Sequence, residues 1–258
     1  MILAAACDVG APIASRTGPV IVETVPANGD VDVPIDGPFI VRFDRRVVPR
    51  SVSRATVRVV SGNTAVLLSL RYDILTQQAV ATLFDNAPLV ADVDYRLIVE
   101  GVEDFDGGTI SLTTIEFHTG SSLGSGAPSR ATAEWDDVGP IFAARCATSG
   151  CHDSISVAAR LDLSSAATTS STLVGAVATT LPSGTVGPEG ASGGPFFTGM
   201  RLVDIVGGAG RPETSYLTYT VLGDSHIFGN PMPPDSPLSD AEIETIVAWI
   251  EAGAPTPE

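Results

Sequence analysis

Between Pro19 and Thr119 the sequence repeats one pattern: five to seven residues rich in Val, Ile, Leu, Phe or Tyr, then a turn. The runs are Val20–Val25, Phe39–Phe43, Thr56–Val60, Val66–Tyr72, Ala79–Phe84, Tyr95–Glu100 and Thr114–His118. Phe39, Val41 and Phe43 flank a charged Arg42, the period-two alternation of a half-buried strand. Asn28-Gly29-Asp30, Ser61-Gly62-Asn63 and Asp104-Phe105-Asp106-Gly107-Gly108 supply turn chemistry between runs. Runs too short for helices, bounded this way, fold into packed sheets. Seven of them in about a hundred residues read as an immunoglobulin-like β-sandwich.

The pieces Thr24-Val25-Pro26-Ala27-Asn28-Gly29, Phe39-Ile40-Val41-Arg42-Phe43-Asp44, Pro88-Leu89, Asp94-Tyr95-Arg96-Leu97, Gly101-Val102-Glu103-Asp104 and Phe117-His118-Thr119-Gly120 occur in order. Together they resemble the bacterial Ig-like domain of S-layer and other surface proteins. That resemblance implies a spacer or partner-docking module without catalysis. Tyr95, following Leu89 after a polar turn, fits a tyrosine corner. Asp104 and Asp106 read as Asx-turn residues, since no further carboxylates follow at calcium-loop spacing. His118 reads as an ordinary strand-end histidine.

Composition changes at Ser121. Residues 121–131 are rich in Ser, Gly, Ala and Pro with almost no charge, as in a flexible linker. From Thr132 the period becomes helical: Trp135, Val138, Ile141, Phe142 and Arg145 fall three or four apart and lead into Cys146. Near the C-terminus, Ser239-Asp240-Ala241-Glu242 has the form of a capping box. Ile243, Ile246, Val247 and Ile250 mark one apolar face beside Trp249, and Gly253 and Pro255 end the helix.

Two of the three cysteines and a histidine stand together in Arg145-Cys146-Ala147-Thr148-Ser149-Gly150-Cys151-His152. Two thiols beside an imidazole suit covalent attachment of haem c: the thiols add to the vinyl groups and His152 becomes the proximal iron ligand. Four residues separate the cysteines here, against the usual two. A short-loop disulfide and part of a zinc site are the other readings, the latter short of a second Cys/His cluster.

Cys146 to His152, Leu161-Asp162-Leu163-Ser164, Glu213-Thr214-Ser215-Tyr216-Leu217, Met232-Pro233 and Trp249-Ile250-Glu251-Ala252-Gly253-Ala254 follow in that order. This series is similar to the cytochrome c domain of exported bacterial lipoproteins, over about Thr132 to Pro255. The resemblance implies one haem c on Cys146 and Cys151, with His152 as proximal and Met232 as distal iron ligand. His226 is the alternative distal ligand, and Met200 reads as packing. The resemblance also implies that the first and last helices cross at the haem edge. The stretch 164–210, rich in Ala, Thr, Ser and Gly, is a departure from the family, and Arg201 within it is a candidate partner for a haem propionate.

The expected fold is therefore multidomain: 1–18 a signal remnant or lipoprotein tether, 19–120 an all-β Ig-like sandwich, 121–131 a linker, and 132–258 a mainly α cytochrome c domain. Met1-Ile2-Leu3-Ala4-Ala5-Ala6-Cys7 resembles the end of a lipoprotein signal, which makes Cys7 the expected lipidation site and the bacterial envelope (periplasm or cell surface) the expected location. A net charge of −16, with all 14 basic residues arginine, argues against nucleic-acid binding and favours a basic or neutral redox partner. The expected role is single-electron transfer rather than catalysis. The other readings are a surface interaction protein with a Cys146–Cys151 disulfide, and a peroxidase or electron-transfer component of an oxidoreductase complex.

Overall fold

The structure is a computed structural model and describes residues 17–178, 194–197 and 199–257. Cys7 and part of the 164–210 stretch lie outside the described residues.

All seven expected strands form, joined by two short ones. One sheet has the order β1 (Ile21–Val25), β3 (Phe39–Phe43), β7 (Gln78–Leu83), β6 (Leu68–Asp73). The other runs β2 (Asp30–Val33), β9 (Thr113–Thr119), β8 (Asp94–Val99), β4 (Val57–Ser61), β5 (Thr64–Ala65). Neighbours are antiparallel except β2, which lies parallel to β9. The alternating residues Phe39, Val41 and Phe43 are buried while Arg42 is exposed and pairs with Glu23 at 2.9 Å. Across the sandwich Phe117 packs between Phe39 and Tyr95, each at 5.8 Å between ring centroids. The Tyr95 hydroxyl accepts the Val90 N–H at 3.1 Å, which closes the tyrosine corner.

Asp104 is the Asx-turn residue: its Oδ1 accepts the N–H groups of Asp106 (3.0 Å) and Gly108 (2.8 Å). The turn aims Phe105 away from the sandwich and into the C-terminal segment. There the ring, 3% exposed, stacks on Phe197 at 5.5 Å and meets Tyr219 edge-on at 5.8 Å. The sandwich core thus continues through Phe197, Met200, Tyr216 and Tyr219. Arg46 and the buried Asp224 pair beside it at 3.0 Å.

Residues 121–131 contain no helix or strand and are fastened along their length. Gly124 N–H donates to Asp36 Oδ1 at 2.7 Å, and Arg71 donates to the Pro128 carbonyl at 2.5 Å. Arg130, 9% exposed at its side chain, bridges Asp73 of β6 (3.1 Å) and Glu251 near the C-terminus (2.7 Å).

The C-terminal segment is less helical than the mainly α domain expected from the sequence. It holds α1 (Trp135–Ile141), α2 (Ala166–Leu173), α3 (Gly194–Phe197), α4 (Tyr216–Val221), α5 (Asp240–Glu251) and a two-residue hairpin, β10 (Ile205–Val206) with β11 (Ala209–Gly210). Gly, Pro, Thr and Ser crowd the connections, and such residues favour turns over helix interiors. The two anticipated helices do form. α1 begins at a capping box of Glu134 and Asp137 and runs into a π-helical turn, Phe142–Cys146, where Ala147 N–H donates to the Phe142 carbonyl at 2.7 Å. α5 begins at the Ser239/Glu242 box. The two pack through Phe142 and Trp249, edge-to-face at 5.6 Å, and Trp249 Nε1–H donates to the Pro255 carbonyl. Among the described residues no helix is long and apolar enough to cross a membrane.

Two expectations follow. Phe105→Ala removes the ring that both segments share and should lower stability by about 3–5 kcal/mol, read as a shift of the urea midpoint; a loss under about 1 kcal/mol would contradict the shared core. The second concerns His118, whose Nδ1 lies 2.7 Å from Asp94 and Nε2 3.0 Å from Asp92. The Asp94 bond, then the Asp92 bond, raises its pKa. A folded pKa above the unfolded one means the stabilisation is complete below the unfolded value and fades as pH rises through the folded one. Asp94→Asn should lower the His118 titration midpoint followed by NMR; an unmoved midpoint would remove that cause.

Candidate functional site

The chain from Cys146 to Leu163 is built around backbone bonds. His152 N–H donates to the Cys146 carbonyl (3.1 Å), Ala158 N–H to Cys151 (2.9 Å), and Leu163 N–H to the His152 carbonyl (2.9 Å). Asp153 accepts from the N–H groups of Ser156 (2.6 Å), Ile155 (2.8 Å) and Gly150 (3.1 Å). Those bonds, that of Ser156 foremost, hold its carboxyl below the ordinary range. Gly150 takes φ 85°, a region open to glycine, within the four residues that separate the cysteines.

The next turn is strained. Val157 (φ 42°), Ala159 (φ 54°) and Arg160 (φ 66°) are all non-glycine residues in the left-handed region, and a β-branched residue there is an outlier. What the turn achieves is the placement of the Ala158 carbonyl 2.9 Å from His152 Nδ1. A carbonyl only accepts, so Nδ1 carries the proton in this bond, and a neutral ring then keeps its lone pair on Nε2. That is the tautomer and orientation a metal-bound histidine needs.

His152, Cys146, Cys151 and Met232 line one cavity of about 510 Å³, walled also by Ala158, Ala159, Pro233 and Pro234. A smaller recess of about 80 Å³ shares Cys146, His152, Ala159 and Met232 and reaches inward between Leu161, Leu163, Leu173, Leu217 and Tyr216. Its walls are almost wholly apolar. Met232 is half-buried, and its N–H donates to the Thr220 carbonyl of α4 at 3.0 Å. The Tyr216 hydroxyl donates to the Phe228 carbonyl. The four residues drawn from the sequence for haem attachment and ligation therefore meet at one apolar cleft, although Met232 lies eighty residues downstream of His152.

The remaining candidates lie elsewhere. His226 is absent from the walls of either space. Its Nδ1 is 2.8 Å from the buried Asp224, its Nε2 3.6 Å from Asp106, and its ring packs on Phe105 at 5.3 Å. Met200 is 8% exposed within the shared core, as a packing residue. Arg201 donates to the Gly175 carbonyl (2.9 Å) and lies 3.7 Å from Asp204, and it is not among the residues lining the cleft. Cys146 and Cys151 are not bonded to each other. Among the described residues no three His, Cys, Asp or Glu side chains are grouped to hold a metal ion, so the zinc reading has no site there. Two contributors have no sequence signal as site residues: the Ala158 carbonyl, a backbone atom, and Arg145 at the cleft mouth, which the helical period accounts for.

Residues 15–119 match the family of the bacterial Ig-like domain, and the match ends before the cleft residues begin. No curated protein matches the chain. Among solved structures, the S-layer protein rSbsC is similar at 16% identity over 46% of this chain, with a TM-score of 0.32. The aligned part spans only 17% of that S-layer chain. CopC from Methylosinus trichosporium OB3b aligns at 15% identity over 41% of this chain and 97% of its own, TM-score 0.32. An L,D-transpeptidase from Mycobacterium smegmatis aligns at 21% identity over 40% of this chain and 41% of its own, TM-score 0.30.

Burial pushes the Cys146 thiol up to about 11. The thiolate is the reactive form, so the Cys146 thiol is largely un-ionised at pH 8. Cys146 alkylation by iodoacetamide should be slow at pH 8 and accelerate roughly tenfold per pH unit toward pH 10. A plateau below pH 9, measured by peptide mass spectrometry, would refute the burial effect.

Proposed function

We propose that this chain is an exported bacterial c-type cytochrome that passes single electrons, with an Ig-like domain as spacer or docking module. Haem c would be held by thioether links from Cys146 and Cys151, with His152 as proximal and Met232 as distal ligand. The observation that carries this reading is the meeting of all four residues at one apolar cleft, with the Ala158 carbonyl engaging His152 Nδ1 and so leaving Nε2 as the ring nitrogen available to a ligand.

Bound haem c supplies a one-electron ferrous/ferric couple. The protein's part is positioning and exclusion. Ala158 keeps the His152 proton on Nδ1, and the strained 157–160 turn keeps Ala158 in place. Leu161, Leu163, Leu173 and Leu217 present hydrocarbon and keep water from the inner recess. Met232 offers a thioether, a ligand that raises the potential. His152 and Met232 would both hold the group, and with an imidazole and a thioether from the chain the chemistry it would supply is electron carriage rather than substrate turnover.

The family match over residues 15–119 supports an envelope location, and the sequence around Cys7 supports a lipid anchor there. The charge of −16 favours a redox partner with a basic or neutral face and an encounter that slows as salt rises.

The test is a pyridine haemochrome spectrum of the exported protein made with a c-type maturation system. It should show one haem per chain with both vinyl groups saturated. A colourless protein would overturn the reading and favour an interaction protein instead. In Met232→Ala the near-infrared Met–Fe(III) band should vanish, the potential fall, and imidazole bind ferric protein roughly tenfold tighter or more (about 1.4 kcal/mol). An unchanged spectrum would displace Met232 as ligand.

A further inference from the structure

The segment that carries Met232 has an unusual difficulty. Pro231, Pro233, Pro234 and Pro237 fall within seven residues, and none has an N–H to donate. A segment like this cannot join a ladder or a helix, and it can be fastened mainly through its carbonyls. The donor must then come from elsewhere in the fold.

Arg145 is that donor. It sits in the π-helical turn Phe142–Cys146, directly before the first cysteine of the cleft. Its Nη2 lies 2.8 Å from the Pro237 carbonyl, 3.0 Å from the Ser236 carbonyl and 3.2 Å from Ser236 Oγ. Its Nε is 3.9 Å from Glu242, the acid of the α5 capping box. One guanidinium therefore joins the helix end that bears Cys146, the chain just past Met232, and the start of the last helix. Arg145, Asp235 and Ser236 also form part of the same cleft wall as Met232. On the Met232 side of α4 the other tie is the Met232 N–H to Thr220 bond at 3.0 Å. Between these two ties the thioether has a defined place.

We propose that Arg145 is a positioning residue for Met232: it staples the proline-rich segment across the cleft mouth and so sets whether the thioether stays at the iron. The proposal rests on the haem reading for its spectroscopic part only, because the staple itself is a property of the chain. A lysine is a poor substitute, since its compact ammonium lacks the planar fork that serves carbonyls and a carboxylate together.

The experiment compares full-length wild-type protein with Arg145→Met and Arg145→Lys. Amide hydrogen exchange followed by mass spectrometry is run first, on protein with or without haem. In Arg145→Met the Met232 amide, which donates to the Thr220 carbonyl, should exchange at least tenfold faster, while the amides of β3 and β8 stay unchanged. In the matured ferric protein, the Met–Fe(III) band should weaken and imidazole bind at least tenfold tighter, with the pyridine haemochrome spectrum unaltered. Arg145→Lys should fall between wild type and Arg145→Met. Folded Arg145→Met protein with wild-type exchange at the Met232 amide and wild-type imidazole affinity would overturn the proposal. If Arg145→Met does not fold, Arg145→Lys decides, and behaviour identical to wild type overturns it. A wild-type protein without haem would refute the cytochrome reading, while faster exchange in the variant would still support the staple.

Discussion

The burial of Phe105 joins the two segments of this chain. It lies in a tight turn held by Asp104, a place where a large apolar ring would ordinarily face water. Here it fills a space among Phe197, Tyr219 and Phe196 that the C-terminal segment leaves open. The segment needs such a filler because its own elements are short. α3 and α4 together present Phe197, Tyr216 and Tyr219 to the sandwich, and Tyr216 is also part of the inner wall of the cleft. The packing of the sandwich therefore continues, ring by ring, to the side chains around His152.

At the cleft, residue chemistry and backbone geometry divide the work. Cysteine, histidine and methionine bring sulfur and nitrogen donor atoms to its walls. Their arrangement depends on carbonyls: Ala158 for the His152 ring, Thr220 for the Met232 backbone, Ser236 and Pro237 for Arg145. The strain of Val157, Ala159 and Arg160 is of order 1–3 kcal/mol per residue. It persists at the turn that orients the imidazole.

Much of the sandwich is legible in the sequence because alternation in strands such as β3 is imposed by a core on one side and water on the other. The strands β2 and β5 are not. Asp30-Val31-Asp32-Val33 buries only Val33, and Thr64–Ala65 is two residues long, so neither leaves an apolar pattern. The Cys146–His152 motif, Met232 and the Ser239 cap are legible as residue types. The joining of the segments is not. Phe105 reads as part of a turn, and Phe196 and Phe197 sit in a Gly- and Ser-rich stretch without periodicity. The position of His226 is equally hidden, since its carboxylate neighbours Asp224 and Asp106 lie on different segments.

Arg130 bears on mechanics as well as on stability. It grips Asp73 on a sandwich strand with one side of its guanidinium and Glu251 on the last helix with the other. Twisting one segment far against the other would strain these pairs and the packing of Phe105 together. The connection is a hinge with its pin in place. Whatever fixes the sandwich on a surface thereby also fixes the direction in which the mouth of the cleft looks out.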